Sequence, residues 1–153
     1  MTERRMLQIV VGLACIVPFY AGGSGVLWGA DFIHGDNIVA QDLDSHFRYM
    51  SGLLLGIGMM FASCIPRIET AMARFQTLGI VVIVGGLARA YGMTVMGVPS
   101  GGQVFGLAME IGLVPLLMAW QANYAWRHAR ATRRAAIELA SAPPPSGFPP
   151  SSQ

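Results

Sequence analysis

Residues 42–66, DLDSHFRYMSGLLLGIGMMFASCIP, decide how this chain folds. The opening stretch, Asp42 to Tyr49, sets two acids, a histidine and an arginine side by side in a chain of which 12% is charged. From Met50 to Ile65 there is no charge, and Pro66 closes the run. A helix needs about 20 predominantly apolar residues to cross a hydrocarbon core roughly 30 Å thick. Counted from Asp44 to Ile65, the segment has that length. The densest polar cluster of the chain thus stands at the mouth of a membrane span.

Three further segments read the same way. Met6 to Trp28 is apolar after Arg4 and Arg5, although Pro18, Gly22, Gly23 and Gly25 loosen its far end. A secretory leader cleaved near Ala21-Gly22 is the competing reading, but no A-x-A site is present there, and an uncleaved span is preferred. The run 75–96 is interrupted only by Arg89, and the run 103–126 only by Glu110. Between them lies a short uncharged turn, Gly97 to Gly102. Residues 31–41 form a polar connector with a turn signal at Gly35-Asp36-Asn37. From Ser141 onward the chain is rich in Pro and Ser and lacks the apolar residues to fold, so a disordered tail is expected. This divides the chain into 1–128 for the spans and 129–153 for the basic segment and tail.

Composition agrees with this. The 153 residues are 54% hydrophobic, and mean hydropathy is +0.52. Soluble domains carry about twice this share of charged residues. The net charge is +2, with ten basic residues, all arginine. They gather at span ends rather than along one water-exposed stripe, which sets nucleic acid aside as a partner. Arg4, Arg5, Arg67, Arg74, Arg127, Arg130, Arg133 and Arg134 fall on one side of a four-span layout. Asp31, Asp36, Asp42 and Asp44 fall on the other, against Arg48. The positive-inside rule makes the arginine side cytoplasmic. Fold class is therefore an all-α four-transmembrane-helix bundle with both termini cytoplasmic. Trp28 suits the outer interfacial belt, and Trp120, Tyr124 and Trp126 the inner one.

Five residues are candidates for a ligand site: Asp44, His46, Arg48, Arg89 and Glu110. At 1.5 Å per residue, Arg89 and Glu110 fall at similar depth on helices joined by a short turn, so they are placed to pair. A charge at membrane depth is costly and turns inward to a partner. Two readings stay open for the pair, an interhelical clamp or part of a polar pocket. Asp44 and Arg48, spaced i, i+4, share one helix face. Their simpler reading is that Asp42 or Asp44 caps the second helix while Arg48 reaches for the interface. His46 is two residues from both Asp44 and Arg48 and points elsewhere around the helix.

No metal or cofactor is expected. Haem needs histidines well inside the spans, whereas His34, His46 and His128 lie outside or at their edges. Met93 and Met96 make an M-x-x-M suited to Cu(I), but gap filling explains methionines in such a chain. Cys15 and Cys64 have no ligand or redox spacing and read as inert thiols. Gly52-x-x-x-Gly56, Gly85-Gly86 and Gly102-x-x-x-Gly106 permit close helix approach, either within the chain or in a homo-oligomer.

The elements Leu43-Asp44-Ser45-His46-Phe47-Arg48-Tyr49-x-Ser51-Gly52, Ile65-Pro66-Arg67-Ile68-Glu69, Gly85-Gly86-Leu87-Ala88-Arg89 and Glu110 together resemble one bacterial family. It is the small four-helix membrane family named domain of unknown function forty-three forty-five. The resemblance runs from about Met6 to Trp126 and implies four transmembrane helices, but no activity, cofactor or catalytic residues.

The expectation is a non-enzymatic membrane protein with a polar pocket in the periplasmic half of the bundle. It would bind, or let pass, a small anionic or amphipathic ligand. The rivals are a membrane oxidoreductase accessory of DoxX-like type, by fold analogy alone, and a structural subunit of a membrane complex.

Overall fold

In a computed structural model, residues 2–31 and 40–141 are described. The expected turn at Gly35-Asp36-Asn37, His34 and the Pro/Ser-rich residues 142–153 lie outside them. The described chain is all helix and turn. Helix α1 spans Glu3–Trp28, α2 Gln41–Cys64 and α3 Met72–Met96. Helix α4 runs over Gly101–Ser141. All four are long and apolar enough to cross a membrane, and the chain is a multi-pass membrane protein by that measure.

Local sequence sets the ends. Pro66 cannot continue the hydrogen-bond ladder of α2 and starts a 3-10 turn, Ile65–Arg67. Backbone N–H groups of Thr70 and Ala71 then close on the Arg67 carbonyl before α3 begins. At the far end of α3, Gly97 adopts a φ of +89° and its N–H returns to the Met93 carbonyl, a glycine-dependent helix stop. Within α4, residues Met109–Leu113 widen into a π-turn. Pro115 accounts for its position. It has no N–H for the Ile111 carbonyl, and its ring crowds that carbonyl, so the ladder shifts register just upstream.

The helices pair as two hairpins. Helix α1 packs along α2, and α3 along α4, while the hairpins meet each other chiefly at one end. That end carries the N terminus, the 65–71 connector and the middle of α4. Its core is Leu7, Val11 and Cys15 from α1, Cys64 and Ile68 from α2 and the connector, Phe75 and Leu78 from α3, and Leu117 from α4. Phe61 meets Phe75 edge to face, with centroids 5.0 Å apart.

Amide side chains lace the same end together. Gln8 donates to the Ile65 carbonyl at 2.7 Å. Gln121, fully buried, donates to the Ile68 carbonyl at 2.8 Å and accepts from Gln76 at 3.2 Å. Arg4 bridges Glu69 and the Pro66 carbonyl, and Glu3 accepts from Trp120 and Arg127. The start of α1 and the middle of α4 therefore share one end of the bundle.

The glycines act differently from the sequence reading. Gly22 and Gly25 of α1, not Gly52 and Gly56 of α2, carry the close approach in the first hairpin. A Cβ on Gly22 would lie 2.8 Å from the Leu55 backbone nitrogen, whereas Gly56 has open space around it. In the second hairpin Gly86 meets α4, but Gly85 and Gly102 face open space and Gly106 has only the Arg89 guanidinium at 3.9 Å. Of the glycine pairs expected to bring helices together, only Gly86 does so tightly.

Candidate functional site

The five predicted residues fall into two clusters, one per hairpin. Among the described residues no hydrogen bond or ion pair joins them.

The first cluster fastens α2 to the end of α1. Asp44 and Arg48 pair across one helical turn at 2.7 Å. The Arg48 guanidinium also donates to the carbonyls of Val26, at 2.7 Å, and Leu27, at 3.1 Å. These carbonyls end α1 and have no intrahelical partner, and a cation also suits the negative end of the helix dipole. Asp44 accepts from the Ala30 N–H at 2.8 Å. Between these contacts lies Gly29, with a φ of +63°, where a Cβ would fall 1.9 Å from an Asp44 oxygen. The expected cap therefore has a different target. Helix α2 starts at Gln41 after Ala40, with no side-chain cap. Asp44 is already inside its first turn, and it secures the chain leaving α1. Arg48 likewise turns to the end of α1. His46 is exposed, its ring 6.5 Å from that of Tyr49.

The second cluster joins α3 to α4. Arg89 grips Glu110 with two parallel hydrogen bonds, Nε to Oε2 and NH2 to Oε1, each 3.0 Å. Such a fork is the strong geometry for a guanidinium and a carboxylate. A third bond runs from Arg89 to the Gln103 side-chain oxygen. The local sequence builds this arrangement. Gly86 lies one turn before Arg89 on the same face, and a Cβ there would sit 2.8 Å from the Glu110 Cβ and from the Ile111 Cγ2. Glycine thus lets α4 approach where Glu110 leaves the backbone. Glu110 itself belongs to the π-turn, whose extra residue re-aims the side chains it carries. Counted from Gly101 at 1.5 Å per residue, the pair lies about 14 Å down the helix.

Two surface clefts are lined by other residues. One, of about 510 Å³, runs along the outer face of α2 past Gly52, Gly56 and Met60. The other, of about 970 Å³, lies between the connector and the α4 extension. Among the described residues no three His, Cys, Asp or Glu side chains gather as metal ligands would.

The model of the domain of unknown function DUF4345 matches residues 6–121. The chain belongs to this family. No curated protein and no solved structure matches it. The match ends at Gln121, so the helical extension beyond Trp126 lies outside the family's matched region.

Sequence reasoning missed Gln103, the second acceptor on Arg89, and the amide lattice of Gln8, Gln76 and Gln121. The available signal was an uncharged amide inside an otherwise apolar run. Such groups need partners just as charges do, because a lipid-facing amide has no water to bond.

Proposed function

We propose that this chain is an inner-membrane protein with its arginine-rich end in the cytoplasm, and that it binds a small anionic or amphipathic ligand in the periplasmic half of the bundle. The observation that carries the reading is the Arg89–Glu110 pair on the π-turn, at membrane depth yet with the Arg89 side chain 33% exposed. A pair meant only to lock two helices favours full enclosure, since ionisable groups at that depth face the interior. In this reading Arg89 supplies positive field, Gln103 and Glu110 hold it in place, and Glu110 serves as counter-charge or proton acceptor. Asp44, His46 and Arg48 form the rim contributed by the neighbouring hairpin. The distribution of arginines about the spans supports the orientation.

Native mass spectrometry of gently extracted protein tests this. The wild type is expected to retain a small adduct that Arg89→Gln loses. The swapped pair, Arg89→Glu with Glu110→Arg, is expected to regain the fold but not the adduct. If the swap keeps the adduct, the pair is a clamp and the binding reading fails. A wild type without any adduct also sinks it.

A further inference from the structure

Beyond the spans, α4 continues as one helix to Ser141 with four arginines, Arg127, Arg130, Arg133 and Arg134, along it. The acids of this end are mostly occupied. Glu3 takes Arg127, and Glu69 takes Arg4. Among the described residues Arg130 and Arg133 have no carboxylate within ion-pair distance. Both line the cleft of about 970 Å³ between the connector and the extension. Its only acidic lining residue is Glu69. Burial raises the pKa of that carboxyl, but its own backbone N–H and the Arg4 guanidinium outweigh this and hold it below the usual range. It therefore stays ionised against Arg4, and the two arginines remain uncompensated.

The cleft also has an apolar floor, formed by Met72, Ala125, Ala129 and the Trp126 ring. The Arg130 guanidinium lies 5.3 Å over that ring, one turn nearer the span than its own backbone. One wall is the 65–71 connector, whose charged Arg67 and Glu69, with Arg4 beside them, would be costly within hydrocarbon. The cleft thus sits at headgroup level, with cations beside a greasy surface.

We propose that this cleft binds the phosphodiester headgroup of an anionic phospholipid. Arg130 and Arg133 hold the phosphate, and the Met72–Ala125–Trp126 floor holds the glycerol and the first acyl carbons. Arginine clusters directly following a span attract anionic lipid by about 1 kcal/mol per residue, or roughly fivefold each. The apolar floor favours a lipid over a free phosphate or a nucleic acid. This site is separate from the Arg89 cluster and does not depend on the reading given to it.

The test presents the full-length protein, in detergent micelles, with equal amounts of phosphatidylglycerol and phosphatidylcholine of matched chains. Native mass spectrometry counts the retained lipids. Phosphatidylglycerol is expected to dominate on the wild type and to fall about 25-fold in Arg130→Gln/Arg133→Gln. The Arg130→Lys/Arg133→Lys variant should keep most of the preference, and Arg134→Gln, outside the cleft, all of it. Equal retention of both lipids by the wild type overturns the proposal, as does an unchanged preference in the double glutamine variant. An equal loss in Arg134→Gln would overturn it in favour of diffuse charge, and displacement by sodium phosphate in favour of a site for the free ion.

Discussion

At the connector end all four helices are laced together, whereas at the opposite end, among the described residues, each hairpin is fastened only to itself. The lacing uses uncharged amides, backbone carbonyls and peripheral ion pairs around a buried apolar cluster. The opposite end uses one arginine–acid pair per hairpin, and the two pairs do not touch. Helix association inside lipid draws little from the hydrophobic effect and rests on packing and hydrogen bonds. The molecule therefore has one cooperative end and one end made of two separable halves.

The largest expected effect comes from breaking the second hairpin's fastening. Glu110→Ala leaves Arg89 without its carboxylate at membrane depth, a loss of about 3 kcal/mol. Hydrogen exchange should show lost protection in the halves of α3 and α4 remote from the 65–71 connector, with amides around Gly22 and Ser51 unchanged. Faster exchange in α1 and α2 as well would mean that the two halves are coupled after all.

A somewhat smaller loss should follow Gln121→Leu at the laced end. The Ile68 carbonyl loses its donor and Gln76 one of its two acceptors, at a cost of about 1–3 kcal/mol. Here the expected signature is different. The thermal midpoint should fall as a single transition, with protection lost in all four helices together. A loss confined to α4 would contradict the cooperative description of this end.

The sequence made the fold legible because a membrane span is a length-and-composition signal, and four such runs with short connectors leave few arrangements. Arg89 with Glu110 was legible for the same reason, since two isolated charges at matched depth on consecutive helices must find each other. The destination of Asp44 and Arg48 was not. Their i, i+4 spacing specifies a shared face but not the neighbour, and the neighbour is the end of α1, whose free carbonyls leave no mark in composition. Gly22 and Gly25 were read as loosening α1, when the α2 backbone lies against Gly22 and the Ser51 side chain against Gly25. The separation of the two clusters was hidden too, because depth arithmetic reports height along the membrane normal and nothing about lateral distance. The π-turn at Glu110 has a visible trigger in Pro115, but a proline in a span also fits a simple kink.

The smallest effect concerns acid, and it distinguishes the ends by where titration is felt. Glu69 lies in the connector, outside the spans, with its carboxyl held below the ordinary 4.5. The unfolded chain therefore binds the proton first on acidification, and stability rises with pH through that window. The contribution is complete above the ordinary value and is lost as pH falls through the lower folded value. Because Arg4 is 45% exposed, the pair is screened and should be worth no more than about 1 kcal/mol. Thermal midpoints of wild type and Glu69→Gln should thus differ slightly at neutral pH and converge once pH has fallen through the lowered folded value. Added salt should shrink the neutral-pH difference, since an exposed pair is screened by ions. A gap that persists at low pH and high salt would make Glu69 a packing residue, and the laced end would then rest on its amides and apolar core alone.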